Sequence, residues 1–267
     1  MSLKEKLNQG QFVISAEIVP PKTADSEKQL QTAELYKQHV DVVDITDCPM
    51  ANICLSSFCL GKKIQDRVGL ETIFNFTCRD RNIIGMESDL LGAFSLGVKN
   101  ILCLWGDPPH LGNRPEAKKV YELDTIKLIK LAKEIGFTVG VAGFVDLSSK
   151  NKDNIKNKKE AGADFVITQP IYSSPKVEEA VKLEKEMNLP FLVGILPVLS
   201  AKKAIQINKK VPGISIPEEQ IKNLEKEGKK AGINNAREIF TLLQKNLSGA
   251  HIMIYKEHEI ITEIIEN

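Results

Sequence analysis

The sequence predicts a single (β/α)8 barrel spanning residues 1–267. Eight short apolar segments alternate with helical patterns, and a chain of this length is typical of barrels built as one domain. Most segments end in polar residues, prolines or glycines, as strands do where they stop. No G-x-G-x-x-G follows the first strand and no G-x-x-x-x-G-K-[ST] occurs, which disfavours a Rossmann dinucleotide site and a P-loop.

The first predicted strand covers residues 12–19, which are mostly apolar and are followed by Pro20 and Pro21. Proline cannot donate a ladder hydrogen bond, so the strand stops there. Glu17 lies near its end. An apolar strand removes water from this carboxyl group, so we expect a raised pKa that suits a general acid. The alternative is that Glu17 pairs with a lysine or arginine and is only structural.

Seven further strands are predicted from apolar, often β-branched runs. They cover residues 40–46, 68–78, 98–105, 137–144, 165–169, 191–196 and 251–255. Helices are predicted between them from capping residues, apolar spacing and terminal glycines, with Ser26 and Asp124 as N-caps and Pro212-Gly213 as a break. They cover residues 27–39, 53–65, 86–96, 125–135, 151–160, 175–187, 200–209, 217–227 and 234–246, with a last helix up to residue 267.

Composition limits the classes of partner. Lys and Arg number 36 against 35 Asp and Glu, and 42% of residues are hydrophobic. This balance gives no electrostatic reason to expect nucleic acid or an anionic membrane, so small molecules or proteins are the expected partners. The first residues lack the apolar stretch of a secretory signal, and no apolar run approaches the ~20 residues that span a bilayer. We therefore expect a cytoplasmic protein.

The five cysteines do not form a recognisable framework. Their number is odd and they contain no C-x-x-C pair, which argues against a disulfide scaffold or a standard zinc site. We expect most of them to be buried thiols. The run of Cys48, Cys54 and Cys59 leaves metal binding open as a weaker alternative.

Polar residues recur where the predicted strands end, which is the working face of such a barrel. They are Glu17, Asp44, Thr46, Asn75, Thr77, Asp107 and Gln169. A single one is typical of turns and caps, but the whole set favours a site. Carboxylates and amides dominate, and the four histidines are scattered. This chemistry suits proton donation and hydrogen bonding to a polar heterocycle, and a redox reaction would need a cofactor.

Six segments in this order resemble the methylenetetrahydrofolate reductase family. They are Ser-Ala-Glu-Ile-Val-Pro-Pro-Lys at 15–22, Asp-Ile-Thr at 44–46, Asn-Phe-Thr-Cys at 75–78, Leu-Trp-Gly-Asp-Pro-Pro at 104–109, Ala-Gly-Ala-Asp-Phe-Val-Ile-Thr-Gln-Pro at 161–170 and Gly-Ile-Leu-Pro-Val at 194–198. The likeness runs from about residue 12 to residue 255. It corresponds to the bacterial-type barrel without the regulatory extension of eukaryotic members.

The resemblance implies an FAD-containing barrel that reduces 5,10-methylenetetrahydrofolate to 5-methyltetrahydrofolate, with NADH or NADPH as electron donor. Glu17 matches the general acid that promotes ring opening to an iminium, which accepts hydride from reduced flavin. Asp107 matches a carboxylate between flavin and pterin that stabilises this cation; its alternative role is an Asx turn. Gln169 matches a folate-contacting glutamine. Ile207 matches an apolar substrate contact, or is simply core.

The resemblance also implies the flavin contacts. They are Thr46, Asn75, Gly106, Asp107, Tyr121, Asn154 and Lys158. Lys158 is a candidate for the pyrophosphate, although lysines crowd this helix and such a run is usually a solvated face. The family's common Arg, His and Arg are Trp105, Asn75 and Asn157 here, and the loop after the fifth strand, 144–149, departs from its usual pattern.

These departures leave two alternatives open. One is a pterin-dependent methyltransferase barrel, which binds folates without flavin. The other is a subunit of a larger reductase in which a partner protein supplies electrons. The expected partners are therefore a reduced folate and, in the second alternative, an electron-donor subunit; a homo-oligomer is also open.

Overall fold

Eight parallel strands close into a barrel in chain order, and β8 pairs back onto β1. The structure is a computed structural model that describes residues 1–211 and 213–266. The strands are β1 Val13–Ile18, β2 Val42–Ile45, β3 Glu71–Thr77, β4 Asn100–Leu104, β5 Thr138–Gly143, β6 Phe165–Pro170, β7 Phe191–Ile195 and β8 Gly249–Ile252. The closed barrel confirms the predicted (β/α)8 class.

Helices surround the barrel and fill the connections between its strands. They are α1 Leu3–Asn8, α2 Glu27–Tyr36, α3 Ser57–Val68, α4 Ile83–Ser95, α5 Thr125–Ile135, α6 Ser149–Glu160, α7 Ser174–Met187, α8 Ala201–Lys210, α9 Glu218–Glu227, α10 Lys229–Asn246 and α11 Ile260–Ile265. Short 3₁₀ turns lie at Pro49–Ala51 and Pro109–Leu111. Asp124 caps α5 as predicted, because its side chain accepts a hydrogen bond from the Lys127 amide.

Alternation along the strands sorts side chains between the inside and the outside of the barrel. The interior at the strand starts is an apolar cluster, which α1 covers with Leu3. It consists of Leu3, Val13, Val42, Ile73, Leu102, Phe165, Ile167 and Leu192. The outward-facing residues pack against the helices in a much larger cluster. The barrel is therefore a filled core rather than a pore.

The same alternation makes the other end of the interior polar. Glu17 lies four residues after Val13, Asp44 two after Val42 and Asn75 two after Ile73, so each shares the inward face of its strand. Neighbouring strands place Glu17 opposite Asp44 in the ladder. The inward face thus changes from apolar to polar toward the carboxyl ends of the strands, where barrels carry their sites.

Local details differ from the sequence predictions. Ser26 precedes α2 but makes no capping hydrogen bond; its hydroxyl accepts from Lys63, and Asp25 accepts from the Glu27 amide instead. Helix α1 was not predicted, and several boundaries shift by two to four residues. Pro212 and Asn267 lie outside the described residues. Across the described chain, no helix is both long and apolar enough to cross a bilayer.

Candidate functional site

Three titratable side chains meet inside the carboxyl end of the barrel. Glu17 of β1, Asp44 of β2 and His251 of β8 each bring one ligand atom within 4.8 Å of the others. Their strands are adjacent, with β1 between β2 and β8. We call these three residues the acid cluster. At this spacing they could donate a proton to a bound molecule or, once deprotonated, ligate a cation.

Glu17 is half-buried, and burial raises the pKa of Glu17 to about 7. No lysine or arginine forms an ion pair with it within residues 1–211 and 213–266, so the alternative of a structural ion pair is wrong for the described chain. The carboxyl group therefore exchanges its proton close to neutral pH.

Asp44 and His251 are both buried, and both favour their neutral forms. Burial raises the pKa of Asp44 well above its ordinary value, the charge of Glu17 adds to this, and a hydrogen bond from Asn75 opposes it. Burial lowers the pKa of His251 to about 4. His251 Nε2 lies 4.0 Å from Asp44 Oδ2, and its Nδ1 lies 2.9 Å from Ser15 Oγ. Glu17, with a pKa of about 7, changes charge near neutral pH.

The ends of β2, β3 and β4 form the next part of the rim, and several predicted flavin contacts lie there. Thr46 Oγ1 and Asn75 Oδ1 are buried without a hydrogen-bond partner in the described chain. Gly106 adopts a φ of +90°, and a Cβ at this position would lie 2.9 Å from Thr77 Cβ. Only glycine lets the chain pass so close to β3 in this conformation. The Tyr121 hydroxyl donates to the Gly106 carbonyl at 2.9 Å.

Asp107 lies on the exposed loop after β4. Its Oδ2 accepts a hydrogen bond from the Met50 amide at 3.0 Å, which joins the loop after β4 to the loop after β2. Arg79 is buried and donates at 3.3 Å to the carbonyls of Asp107 and Cys48. The carboxylate of Asp107 is thus held at the rim by neighbouring loops and not by an Asx turn toward its own prolines.

Charged side chains on this part of the rim are paired. The Asp47 carboxylate accepts from the amide and hydroxyl of Thr77 at 3.1 and 3.0 Å and faces Arg81 at 3.4 Å. Arg81 also pairs with Asp89 at 2.8 Å, and Arg79 pairs with Asp80 at 2.7 Å. We call Asp47, Arg79, Asp80, Arg81 and Asp89 the ion-pair network. It fixes the loops that carry Asp107 and the residues after β2.

Gln169 lies at the end of β6, where the register between β6 and β7 shifts. Such irregularities commonly re-aim a side chain next to a site. Gln169 lines a cavity of about 340 Å³ together with Phe144, Lys176 and Tyr172, whose hydroxyl is buried and unpartnered in the described chain. The Gln169 amide therefore lines a small cavity whose walls are both polar and apolar.

The remaining predicted residues lie farther around the barrel. Ile207 is buried on α8 in a satellite cluster and lines a separate cavity of about 450 Å³ beside Tyr255. Asn154 is exposed on α6. Lys158, one turn later, donates to the Ala142 carbonyl at 2.8 Å, and burial lowers the pKa of Lys158. Unlike the exposed Lys156, it is not part of a solvated face.

Sequence reasoning missed three features of this end of the barrel. The scattered positions of the histidines in the sequence hide His251, although its even spacing from Gly249 places it on the inward face of β8. Ser15 and the pairing of Arg81 were also missed. The cysteine prediction was wrong in part, because Cys78 and Cys103 are buried but Cys48 and Cys54 are half-buried and Cys59 is exposed.

Comparisons with known proteins identify relatives along the whole chain. The sequence model described as methylenetetrahydrofolate reductase matches residues 2–267. "Methylenetetrahydrofolate reductase 2" of Saccharomyces cerevisiae is 30% identical over 74% of this chain and 37% of its own length. "5,10-methylenetetrahydrofolate reductase" of Pectobacterium carotovorum is 28% identical over 76% of this chain and 72% of its own length.

A solved structure supports the fold alone. The tryptophan synthase alpha chain of Legionella pneumophila is 13% identical, with a TM-score of 0.54 over 98% of this chain and 86% of that chain. Identity this low carries no information about the site. The likeness agrees with the closed barrel described above.

Proposed function

This chain belongs to the methylenetetrahydrofolate reductase family, and from that membership we propose that it reduces 5,10-methylenetetrahydrofolate to 5-methyltetrahydrofolate with bound FAD. The chain spans little more than a third of the yeast relative but nearly three quarters of the Pectobacterium one. The observation that carries the mechanism is Glu17, a carboxyl group at the barrel mouth that forms no ion pair within the described part of the chain and whose pKa is about 7. A group with this pKa can give and regain a proton near neutral pH.

In the proposed mechanism Glu17 protonates the folate and so promotes opening of its five-membered ring. His251 stays neutral beside it, because burial lowers the pKa of His251 to about 4, so it adds no positive charge that would oppose the cationic ring-opened substrate. The fixed carboxylate of Asp107 would stabilise that cation from the rim. Gln169 would hydrogen-bond the pterin edge from the cavity that it lines, and Ile207 would contact the apolar part of the folate.

The residues at the rim fit a flavin. Thr46 and Asn75 keep buried oxygens that have no hydrogen-bond partner among the described residues, and a bound ligand satisfies polar atoms of this kind. The other proposed contacts are Gly106, Asp107, Tyr121, Asn154 and Lys158. Lys158 would exchange its hydrogen bond to Ala142 for one to the pyrophosphate. When bound, the flavin would supply the hydride, and we propose NADH or NADPH as the source of its electrons.

The test separates the two half-reactions under anaerobic conditions. The Glu17→Gln variant keeps the shape of the side chain but cannot donate a carboxyl proton, so we expect folate reduction to slow by about 10²–10⁴-fold. Reduction of the flavin by NADH or NADPH should stay within about threefold of the wild-type rate, because proton donation by Glu17 is not needed there. Each rate is read from flavin absorbance by stopped flow.

A matched control distinguishes proton donation from general damage. Glu71→Gln changes another half-buried glutamate, which lies at the start of β3 and accepts hydrogen bonds from Leu3 and Asn100. This variant should retain both half-reactions. Equal losses in both half-reactions of Glu17→Gln would remove the general-acid assignment, and failure of the protein to bind any flavin after reconstitution would remove the proposed function.

A further inference from the structure

Two thiols face each other in the loop between β2 and α3. The Cys54 thiol donates a hydrogen bond to the Cys48 sulfur, with 3.7 Å between the two Sγ atoms. Both residues are half-buried, so small reagents can reach them. Cys59, five residues farther along, is exposed, and Cys78 and Cys103 are buried. Cys48 and Cys54 therefore form a pair, and they differ in burial from the exposed Cys59 and from the buried Cys78 and Cys103.

The loop that holds this pair has an unusual backbone. Cys48, Met50 and Ala51 have φ values of 46°, 52° and 55°, and they are three of the five non-glycine residues with positive φ in the described chain. Residues with side chains rarely adopt this conformation, and clusters of them mark functional sites. Two contacts described above hold the loop: Arg79 to the Cys48 carbonyl and Asp107 to the Met50 amide. The loop therefore combines a strained backbone with hydrogen bonds that tie it to the loops after β3 and β4.

The environment makes the two sulfurs unequal. The hydrogen bond from Cys54 lowers the pKa of Cys48 to about 7, and Arg79 adds to this against burial and the charge of Asp47. The same hydrogen bond, with burial, raises the pKa of Cys54. Because the thiolate is the nucleophile, Cys48 attacks first and Cys54 resolves.

Metal binding explains the pair less well. A structural zinc or iron site needs about four ligands. Within residues 1–211 and 213–266, the group of three or more side chains close enough to hold an ion is the acid cluster and not this loop. Two sulfurs alone are an incomplete metal site but a complete redox pair.

We propose that Cys48 and Cys54 are a redox-active dithiol that small-molecule disulfides convert to an intramolecular disulfide. The Cys48 thiolate attacks one sulfur of the reagent, forms a mixed disulfide and releases one thiolate. Cys54 then loses its proton to solvent and attacks Cys48 Sγ, which releases the second thiolate. The two cysteines lose two electrons and two protons, and the reagent is reduced to two thiols.

The new bond would move the rim. A disulfide holds its sulfurs about 2.05 Å apart, so the pair must close by roughly 1.6 Å from its present 3.7 Å. The loop is strained and joined to Asp107 through Met50, so this closure pulls on the loop after β4. Oxidation thus couples the dithiol to the carboxylate of Asp107. The thiol chemistry itself does not depend on folate reduction.

The experiment counts thiols after incubation of the full chain with oxidised glutathione. Titration under denaturing conditions should fall from five thiols to three, with a mass about 2 Da lower and the peptides of Cys48 and Cys54 joined. The control Cys59→Ser should lose two of its four thiols. Cys54→Ser should instead trap a glutathione adduct on Cys48, and Cys48→Ser should form no internal bond.

Two results would overturn the proposal. Five thiols remaining in the wild type, or a bond that includes Cys59, would exclude the dithiol. The coupling to the rim is read from Trp105, the single tryptophan, which stacks on Tyr121 at 4.3 Å two residues before Asp107. Its emission should shift in the disulfide form of the wild type and of Cys59→Ser and return with reductant. Unchanged emission in a fully bonded sample would exclude the coupling.

Discussion

Two acidic regions lie side by side at the mouth of this barrel, and they handle charge in opposite ways. In the acid cluster, Glu17 and Asp44 have no cationic partner among the described residues, and burial raises the pKa of both. In the ion-pair network, each carboxylate faces an arginine. Asp44 and Asp47 stand only three residues apart, yet they belong to different regions.

The pairing partner explains the difference. Asp44 faces His251, which burial keeps neutral, so the only favourable contact for a negative charge on Asp44 among the described residues is the hydrogen bond from Asn75. Asp47 faces Arg81. Burial opposes the charge of this guanidinium, but Asp47 and Asp89 outweigh burial and raise the pKa of Arg81. Unpaired acids hold protons that a reaction can use, whereas paired acids hold the loops in place.

The largest expected effect is on the paired side. Asp47→Asn removes the charge that faces Arg81 and weakens the hydrogen bonds from Thr77, all in a buried setting. We expect the free energy of unfolding at pH 7 to fall by about 2–3 kcal/mol. Urea denaturation followed by circular dichroism measures this change.

The control for that prediction also pairs with Arg81. Asp89 is far more exposed than Asp47, with 38% of its side chain accessible against 4%. Asp89→Asn should therefore cost less than about 1 kcal/mol. Equal losses for the two variants would mean that burial does not separate these ion pairs, and the comparison would fail.

A smaller effect is expected from the unpaired side, and it depends on pH. The pKa of Glu17 is about 7 in the folded protein against 4.5 when the group is solvated. Between pH 4.5 and pH 7 the folded protein therefore holds a proton on Glu17 that the unfolded chain has lost. Its contribution to stability is complete below pH 4.5 and is lost as the pH rises through 7. Gln carries no charge, so it does not lose this contribution. The free energy of unfolding of Glu17→Gln, relative to that of the wild type, should therefore rise by about 2 kcal/mol from pH 5 to pH 8.

The measurement is urea denaturation of wild type and variant at both pH values. The quantity compared is the difference in free energy of unfolding between variant and wild type at each pH. A difference that stays constant from pH 5 to pH 8 would mean that Glu17 titrates in the folded protein as it does in water.

The sequence was sufficient for the architecture because strand and helix periods are local properties. Boundaries were less accurate where tertiary contacts decide them. The eighth strand begins at Gly249, two residues before its predicted start. A Cβ at this position would lie 2.5 Å from the Val13 carbonyl oxygen, so only glycine fits where β8 passes β1. Helix α1 was missed although Ser2 and Glu5 form a capping box, since six residues give too little periodicity.

The strand-end pattern also brought Glu17 and Asp44 together at one end of the barrel, but it could not assign their electrostatic states. Asp44 and Asp47 are the same residue type at the end of one strand, and only the partner across the barrel distinguishes them. The same holds for Lys158, whose neighbours in sequence suggest a solvated face while its bond to Ala142 places it at the rim. Charge pairing over long sequence separations has no local signature.

The smallest expected effect completes the comparison by making the same substitution three residues away. Burial raises the pKa of Asp44 and so favours its neutral form, and Asp44→Asn replaces that form with another uncharged side chain. Asn needs no protonation on folding, which favours the variant. Its amide N–H groups, however, lie where Asp44 Oδ1 has no hydrogen-bond partner in the described chain, which disfavours it. These effects oppose each other, so stability at pH 7 should stay within about 1 kcal/mol of the wild type. A loss as large as that of Asp47→Asn in the same urea titration would mean that Asp44 is charged and paired, and the two regions would then not differ.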